Sequence, residues 1–494
     1  MKILFVYPKY PDTFWSFKHI LHFISKKAAF PPLGLLTVAA MLPEKWKKKL
    51  VDLNVTELTD KDIKWADMVL IGAMIVQKDS AREVIARCKK LKKKVVAGGP
   101  LFVTEYRKYK GVDTFVLNEA EVTLPPFLSD LKKGRTKHVY SSNVKPDISK
   151  TPRPLWSLIN IKDYASLAIQ YSRGCPFNCE FCDIVFLNGR IPRTKTPSQM
   201  LAELDSLYNY GWRGTLFIVD DNFIGNQKNV KNMLPHLIEW QKKHNYPFQL
   251  LTEASTNLAS DKELMTLMSE ANFNKVFLGI ETPNIESLKE CGKFQNVAKD
   301  LSQAIKTIHQ NGMQVMGGFI VGFDNDTDNI FDNQIKFIQE TGVVTAMVGM
   351  LNVIPQTRLW HRLKSEGRLL NEVIGENTNT TLNFVPKMNK KKLVEGYKKI
   401  INFIYSTKNY YKRINTLLEH YQPKARTRFN FEQIKGFIKS TWRIGLFSRS
   451  NIFYWKLLFK TLFTNTKAFP TAVELAIYEL HYRKIANRIL SSSS

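Results

Sequence analysis

The chain's 494 residues are enough for two to four domains, and 44% hydrophobic with 12% aromatic content excludes a disordered polymer. Five cysteines make no disulfide framework, and no window reaches about 18 uninterrupted apolar residues, which excludes a cystine-rich scaffold and a membrane span. The net charge of +28 invites a phosphate-bearing partner, but 22 Lys and Arg against 5 Asp and Glu lie from Lys387 onward, so +17 of it sits in a basic tail that suits an anionic membrane surface as well as RNA.

The chain opens MKILFVYPKYPDTFW, without the layout of a secretory signal, so a reducing, cytoplasmic location is expected. KILFVYP reads as a buried strand ending at Pro8, and Pro31 and Pro32 precede a helical apolar pattern, LGLLTVAAML. Strand-like runs recur at KKLVDLNV, DMVLIGAMIV, KKVVAGGPLF and TFVLNEAE, with helical segments such as SAREVIARCKKL between them. This alternation predicts an open parallel α/β sheet with helices on both faces over residues 1–140. Ligands of such sheets bind at the carboxyl ends of the strands, here Tyr7 to Pro8, Ala73 to Gln77, Gly98 to Pro100 and Asn118 to Glu121. Residues 141–165, rich in Ser, Asn and Pro, read as an extended linker.

The next stretch, QYSRGCPFNCEFC, places Cys175, Cys179 and Cys182 in the spacing C-x3-C-x2-C. A structural zinc site needs a fourth Cys or His nearby. His138 and His236 are far away in sequence, so an iron-sulfur cluster with one iron left open fits better. Cys88 and Cys291 stand alone. Strand and helix then alternate again through GTLFIVDDNF, FQLLTEAST, NKVFLGIETP, QVMGGFIVGFD and TAMVGMLNVIP, which predicts a whole or partial (β/α) barrel over 166–385 with its chemistry at the carboxyl ends of the strands. Those ends carry Asp220, Asp221 and Asn222, then Glu253, Ser255 and Asn257, then Glu281, Asp324 and Gln356.

The cysteine spacing, with Phe181 before the last cysteine, resembles the signature of the radical S-adenosylmethionine (SAM) enzymes. The resemblance implies a 4Fe-4S cluster on Cys175, Cys179 and Cys182, whose free iron binds SAM, and Phe181 near the adenine. It also implies that Asp220, Asp221 or Asn222 stands in for the Gly-Gly-Glu-like motif that holds the methionine amino group, and that Glu281, Gly322 and Asp324 belong to the same pocket. The order PPLGLL, GGP, NEAE and cluster motif resembles the cobalamin-binding domain of one large subfamily, implying cobalamin at Gly98, Gly99, Pro100, Asn118 and Glu119. There is no D-x-H-x-x-G, so base-off binding without a protein histidine on cobalt is implied. SRGCPFNCEFCDI, VDDNFIGN and the tail segments NFVPKMN, EGYKKI and YYKR look like the cobalamin-dependent branch that includes the hopanoid methylases.

The function this implies is methylation of an unreactive carbon, with a lipid or other hydrophobic molecule as the expected substrate and an external electron donor such as flavodoxin or ferredoxin. A radical rearrangement or ring-forming reaction without methyl transfer is the alternative. An RNA-modifying methylthiotransferase would want three amino-terminal cysteines where only Cys88 precedes Cys175, so nucleic acid is not the expected partner. In the basic helical region 386–494, FEQIKGFIKSTW and NIFYWKLLFKTLF have amphipathic patterns, expected to pack on the barrel, with peripheral membrane contact as the other reading.

Overall fold

The computed structural model describes residues 1–370, 375–376, 378–426 and 431–492. The first sheet comprises β1 (Lys2–Tyr7), β2 (Lys47–Asp52), β3 (Met68–Gly72), β4 (Lys94–Gly98), β5 (Thr114–Val116) and β6 (Val139–Tyr140). All pairings are parallel, in the order β2-β1-β3-β4-β5-β6. Parallel strands are buried on both faces, which is why Ile3, Leu4, Phe5 and Val6 are all buried in succession. Helices Leu33–Met41 and Ala120–Lys132 cover one face through Leu35, Ala39, Leu124 and Phe127. Helices Asp60–Trp65, Lys78–Lys90 and Pro100–Glu105 cover the other. The strand order reverses between β1 and β3, which is where a ligand of such a sheet sits.

Two expected strands are shorter than their apolar runs. β4 stops at Gly98 because Gly99, at φ +93°, turns the chain and Pro100 opens a helix; β3 stops at Gly72, and Ile75–Gln77 form a 3-10 turn. The stretch 141–165, expected as an extended linker, is a strap packed on the protein and folded into 3-10 turns at Ile148–Lys150, Trp156–Leu158 and Ile161–Asp163: Ile148, Trp156, Ile161 and Tyr164 are buried, and Tyr164 donates its hydroxyl to Asp52 of the first sheet at 3.0 Å.

The second unit contains β7 (Leu167–Ile169), the antiparallel pair β8 (Ser172–Arg173) and β9 (Arg193–Thr194), then β10 (Gly214–Ile218), β11 (Phe248–Ala254), β12 (Phe273–Glu281), β13 (Gln314–Val321) and β14 (Ala346–Met350). Six strands run parallel in the order β14-β13-β12-β11-β10-β7, a barrel left open between its edges. Along β11 every second residue (Phe248, Leu250, Thr252, Ala254) is buried beneath the outer helices, while Gln249, Leu251 and Glu253 between them are only half-buried and face a cavity in the lumen.

The carboxy-terminal helices Lys390–Ile404, Thr407–His420, Asn451–Thr464 and Phe469–Ser491 share the barrel's core. They close its exposed edge. Tyr405 donates to the carbonyl of Ala346 at 2.6 Å and Tyr397 to that of Val348 at 3.3 Å, so β14 does not present an unpaired row of acceptors. The fully buried Arg413 donates to Gln339 at 2.6 Å and to the carbonyl of Ile404 at 2.8 Å. Residues 12–30 also enter this core: Phe14 stacks on Tyr482 at 4.5 Å and Trp15 meets Phe277 edge-on at 5.4 Å.

The expectation that the tail packs on the barrel holds for one face of each segment only. Tyr454, Leu457, Leu458 and Thr461 are buried, whereas Ile452, Phe459, Leu462 and Phe463 of the same helix are exposed. No helix among the described residues is long and apolar enough to cross a membrane.

Gly98 tests the packing directly. A Cβ there would lie 2.6 Å from the carbonyl oxygen of Val116, which the neighbouring strand cannot move. Gly98→Ala should therefore destabilise the cofactor-free protein by about 1–3 kcal/mol in chemical denaturation. An unchanged midpoint would mean that the glycine serves ligand access alone.

Candidate functional site

The cluster loop leaves β8 through Gly174, at φ +98°, where a Cβ would come within 2.9 Å and 3.0 Å of the carbonyl oxygens of Gly189 and Ile191. Only glycine fits this crossing. Asp220 and Asp221, at the carboxyl end of β10, hold the loop from beneath. The buried Asp220 accepts from the Tyr171 and Ser172 amides at 2.7 and 2.8 Å and from the Ser172 hydroxyl at 2.7 Å. Asp221 accepts from the Gly174 amide and the Asn188 side chain, both at 2.8 Å. Burial outweighs these bonds and pushes Asp220 up to about 7. Of the three residues expected at the methionine amino group, Asp220 thus has both oxygens taken by the loop and Asp221 has Oδ2 taken. Asn222 is the one aimed at the cysteines: its Nδ2 lies 3.8 Å from Cys175 Sγ and 3.2 Å from Ser255 Oγ, and its buried Oδ1 has no partner.

Glu281 sits at the end of β12 at φ +65°, next to a shift in the β12–β13 register. Its Oε1 lies 2.7 Å from Lys293 Nζ, and a Cβ on Gly279 would fall 2.5 Å from that carboxylate and 2.7 Å from that ammonium. Gly279 is therefore what makes room for the pair. Burial lowers the Lys293 value, but Glu281 and then Cys179 outweigh it, so the lysine stays charged; it also acts on Cys175 and Cys182, whose thiols burial raises. Nothing in the local pattern CGKFQ marked this lysine: only the fold carries it to the cysteines. Gln295, two residues on, has its Nε2 3.8 Å from Cys179 Sγ.

Asp324, expected near the SAM pocket, is ion-paired with two arginines. Arg368 meets both its oxygens at 2.6 and 2.8 Å and Arg362 one at 2.9 Å, holding it at about 2 although burial opposes this. Arg362 also reaches Glu180, between Cys179 and Phe181, at 2.7 Å, so this cluster of charges anchors the loop's far side. Gly322, at φ +104°, and Phe323 give their amides to Asp326, at 2.8 and 3.1 Å, and the Phe323 ring lies 6.2 Å from that of Phe181. Cys88 is buried in the first domain. Cys291 is closer to the site than its isolation in sequence indicated, since its carbonyl accepts from the Glu180 amide at 2.8 Å, but its thiol points to the Leu288 carbonyl.

In the first domain, Gly98 and Gly99 give close passage to neighbouring backbone, Pro100 starts a helix, and Asn118 adopts φ +64° before the buried Glu119. Glu119 is ion-paired at 2.9 Å with both Arg173 and Arg193, and Glu121 with Arg173 at 2.9 Å. The NEAE turn thus grips the arginine two residues before Cys175.

A cavity of about 1100 Å³ is lined at one end by Tyr7 and Met74 from the carboxyl edge of the first sheet, and by Phe217, Leu251 and Phe277 in the barrel. Glu253 also lines it; burial first, then Asp221 and Asp220, push this carboxyl up to about 8.

Comparison with known proteins assigns the class. The B12 binding domain model matches residues 24–128, the radical SAM superfamily model residues 169–338, and a domain of unknown function residues 357–494. An uncharacterised methyltransferase of Synechocystis sp. is 42% identical over 498 residues, covering 99% of this chain and 93% of that one. The hopanoid C-2 methylase of Rhodopseudomonas palustris is 33% identical over 475 residues, covering 93% and 89%. The structure of the radical SAM methyltransferase TsrM from Kitasatospora setae, with cobalamin and a 4Fe-4S cluster bound, shares the fold with TM-score 0.63 and 14% identity over 99% of both chains. The cobalamin-dependent radical enzyme OxsB, with aqua-cobalamin bound, does so with TM-score 0.64 and 16% identity, covering 100% of this chain and 82% of that one. The chain belongs to the cobalamin-dependent radical SAM methyltransferases, and within them is similar along nearly its whole length to a hopanoid methylase. Its cofactors are a 4Fe-4S cluster, SAM and cobalamin.

Two outcomes test this geometry. Cys291→Ala and Cys88→Ala should retain about four iron per chain after anaerobic reconstitution, while Cys179→Ala loses iron and SAM cleavage together; iron lost from Cys291→Ala would make its thiol a ligand. Folding favours the neutral form of Glu253, because its value of about 8 lies above that of an unfolded carboxyl. That stability is complete at acid pH and lost as pH rises through about 8. Thermal stability should therefore fall more steeply with rising pH in the wild type than in Glu253→Gln, and parallel profiles would show that the site keeps Glu253 solvated.

Proposed function

We propose that the protein methylates an unactivated carbon on a large apolar, lipid-like substrate that occupies the barrel lumen. The observation that supports this reading is the cavity, whose walls at Phe217, Leu251, Phe277, Met316 and Met347 are apolar. It continues beyond the Tyr7–Met74 end, where cobalamin would lie, to Thr215 and Gln249 at the amino ends of β10 and β11. At 33% identity over 93% of this chain, the hopanoid C-2 methylase makes a polycyclic lipid a reasonable member of the class.

Cys175, Cys179 and Cys182 would hold the cluster: Asn222 and Gln295 turn amide groups to the sulfurs of Cys175 and Cys179, and Cys182 lies close enough to Cys179 to feel its charge. The free Oδ1 of Asn222 and the Glu281–Lys293 pair would bind the ammonium and carboxylate of SAM, with Phe181 and Gly322 near the adenine. Cobalamin would lie against the carboxyl ends of β1 and β3, near Tyr7 and Met74, and along Gly99, Pro100 and Asn118. Bound together, these cofactors supply a hydrogen-abstracting radical and a methyl group, with electrons from a flavodoxin- or ferredoxin-like donor. The chain's own part is to keep water out with its apolar lumen, to orient the substrate, and to present the largely neutral Glu253 as a hydrogen-bond donor to a polar end of it.

The test is to incubate anaerobically reconstituted protein with a low-potential reductant, SAM bearing a deuterated methyl group, and a whole-cell extract that holds both lipids and polar metabolites. A lipid gaining that methyl is expected, and label confined to polar metabolites would overturn the substrate class. Leu251→Trp, which fills the lumen, should cut lipid methylation by on the order of tenfold or more while SAM cleavage without substrate persists. Equal methylation would place the substrate elsewhere.

A further inference from the structure

The segment from Ile434 to Phe463 presents an apolar surface that the fold leaves uncovered. Trp442, Phe447 and Phe463 are 64%, 71% and 83% exposed, and Ile438, Leu446 and Phe459 also point outward. Ile434, Ile438 and Trp442 follow one another at helical spacing along Phe431–Ser440 and into the π-helical turn Thr441–Leu446. Contacts make the patch continuous: the Trp442 and Phe447 rings lie 5.3 Å apart, Trp455 donates to the Gly445 carbonyl at 3.0 Å, and Trp455 stacks on Phe459 at 5.7 Å. Helix Asn451–Thr464 has an apolar buried face and also carries Ile452, Phe459, Leu462 and Phe463 on its outer face, more exposed apolar surface than packing in water needs.

The charge around it identifies what covers this surface. Between Gln433 and Val473 the sequence has seven Lys and Arg and no Asp or Glu. Lys435, Arg443, Arg449, Lys456, Lys460 and Lys467 are exposed beside the apolar side chains. A second copy of the chain packed face to face would oppose cation to cation. RNA would satisfy the cations but leave Ile438, Leu446 and Phe463 in water. An anionic lipid surface satisfies both, with the apolar side chains in the acyl boundary and the basic ones among the headgroups. The lumen cavity is also lined by Ile434 and Lys467, both exposed, so its mouth lies on this face. From there it passes Thr215 and Gln249, at the amino ends of β10 and β11, and reaches Val219 and Glu253 at their carboxyl ends.

We infer that the face formed by residues 434–463 docks on an anionic bilayer, and that an apolar substrate passes from the bilayer through this mouth into the lumen. The route rests on the lipid-substrate reading; the docking does not. The full-length protein, without substrate, should pellet with vesicles of equal parts phosphatidylcholine and phosphatidylglycerol and much less with phosphatidylcholine alone. Raising salt from about 0.1 M to about 1 M should weaken this about tenfold or more, because the surface attraction is screened. Phe447→Glu with Phe463→Glu should release the protein from vesicles by a similar factor without changing its circular dichroism, and Lys456→Glu with Lys460→Glu should do so independently. Absence of vesicle binding at low salt, binding that survives both double variants, salt-sensitive RNA binding in its place, or a dimer that the phenylalanine variant dissociates would each overturn the docking. Vesicle binding by a protein that methylates only polar metabolites would instead overturn the substrate reading and leave the docking in place.

Discussion

The arrangement depends most on the position of Arg173 between Glu119 and Glu121. This arginine stands on the strand that runs into the cysteines, and its carboxylate partners come from the turn after β5, so one group of charges fixes the cobalamin-binding sheet against the cluster loop. Arg193, from the strand paired with β8, shares Glu119 and doubles the connection. Such a buried group is weak evidence for net stability, because desolvation offsets much of its attraction, whereas removing one partner typically costs about 3–5 kcal/mol. Its value lies in register. With both cofactors bound, a substrate carbon would have to lie within reach of each, and a joint built from directional pairs at 2.9 Å would hold that separation better than an apolar contact that can slide.

The loop itself is braced on three sides by carboxylates, with Asp220 and Asp221 beneath it, Glu119 and Glu121 on Arg173, and Glu180 on Arg362. This explains which part of the site was legible in the sequence. The three cysteines and the strand rhythm are local patterns, and local patterns survive being read one residue after another. The division of labour among VDDN is not local: all three polar residues stand at one strand end, and only the path of 171–174 above them decides that both aspartates receive backbone amides and Asn222 is left facing the sulfurs. Asp324 was drawn into the expected pocket by its neighbour GFIVG, but two arginines from 362 and 368 reach it first. Lys293 is the converse case, since a lysine after a helix carries no signal until the fold buries it beside Glu281.

Alternation along the barrel strands was also visible, but its meaning was not. Residues pointing inward usually fill the middle of a barrel in layers. Here Thr215, Phe217, Gln249, Leu251 and Glu253 are half-buried because the lumen is hollow, and whether inward side chains meet depends on the number and curvature of the strands, which no single strand encodes.

An open six-stranded barrel must cover its last strand, and the carboxy-terminal helices do so through tyrosine hydroxyls given to the carbonyls of β14. That requirement accounts for the buried faces of the helices at 390–420 and 451–491. It does not account for Trp442, Phe447 and Phe463, which touch nothing that the barrel needs. Apolar side chains kept in water among lysines lower solubility without adding to the core, so packing alone gives no reason for them. A surface that is both greasy and basic, with Ile434 and Lys467 also lining the lumen cavity, is what the proposed docking on an anionic bilayer would use. On that proposal, the same covering layer that completes the barrel would also turn its open end toward the source of an apolar substrate.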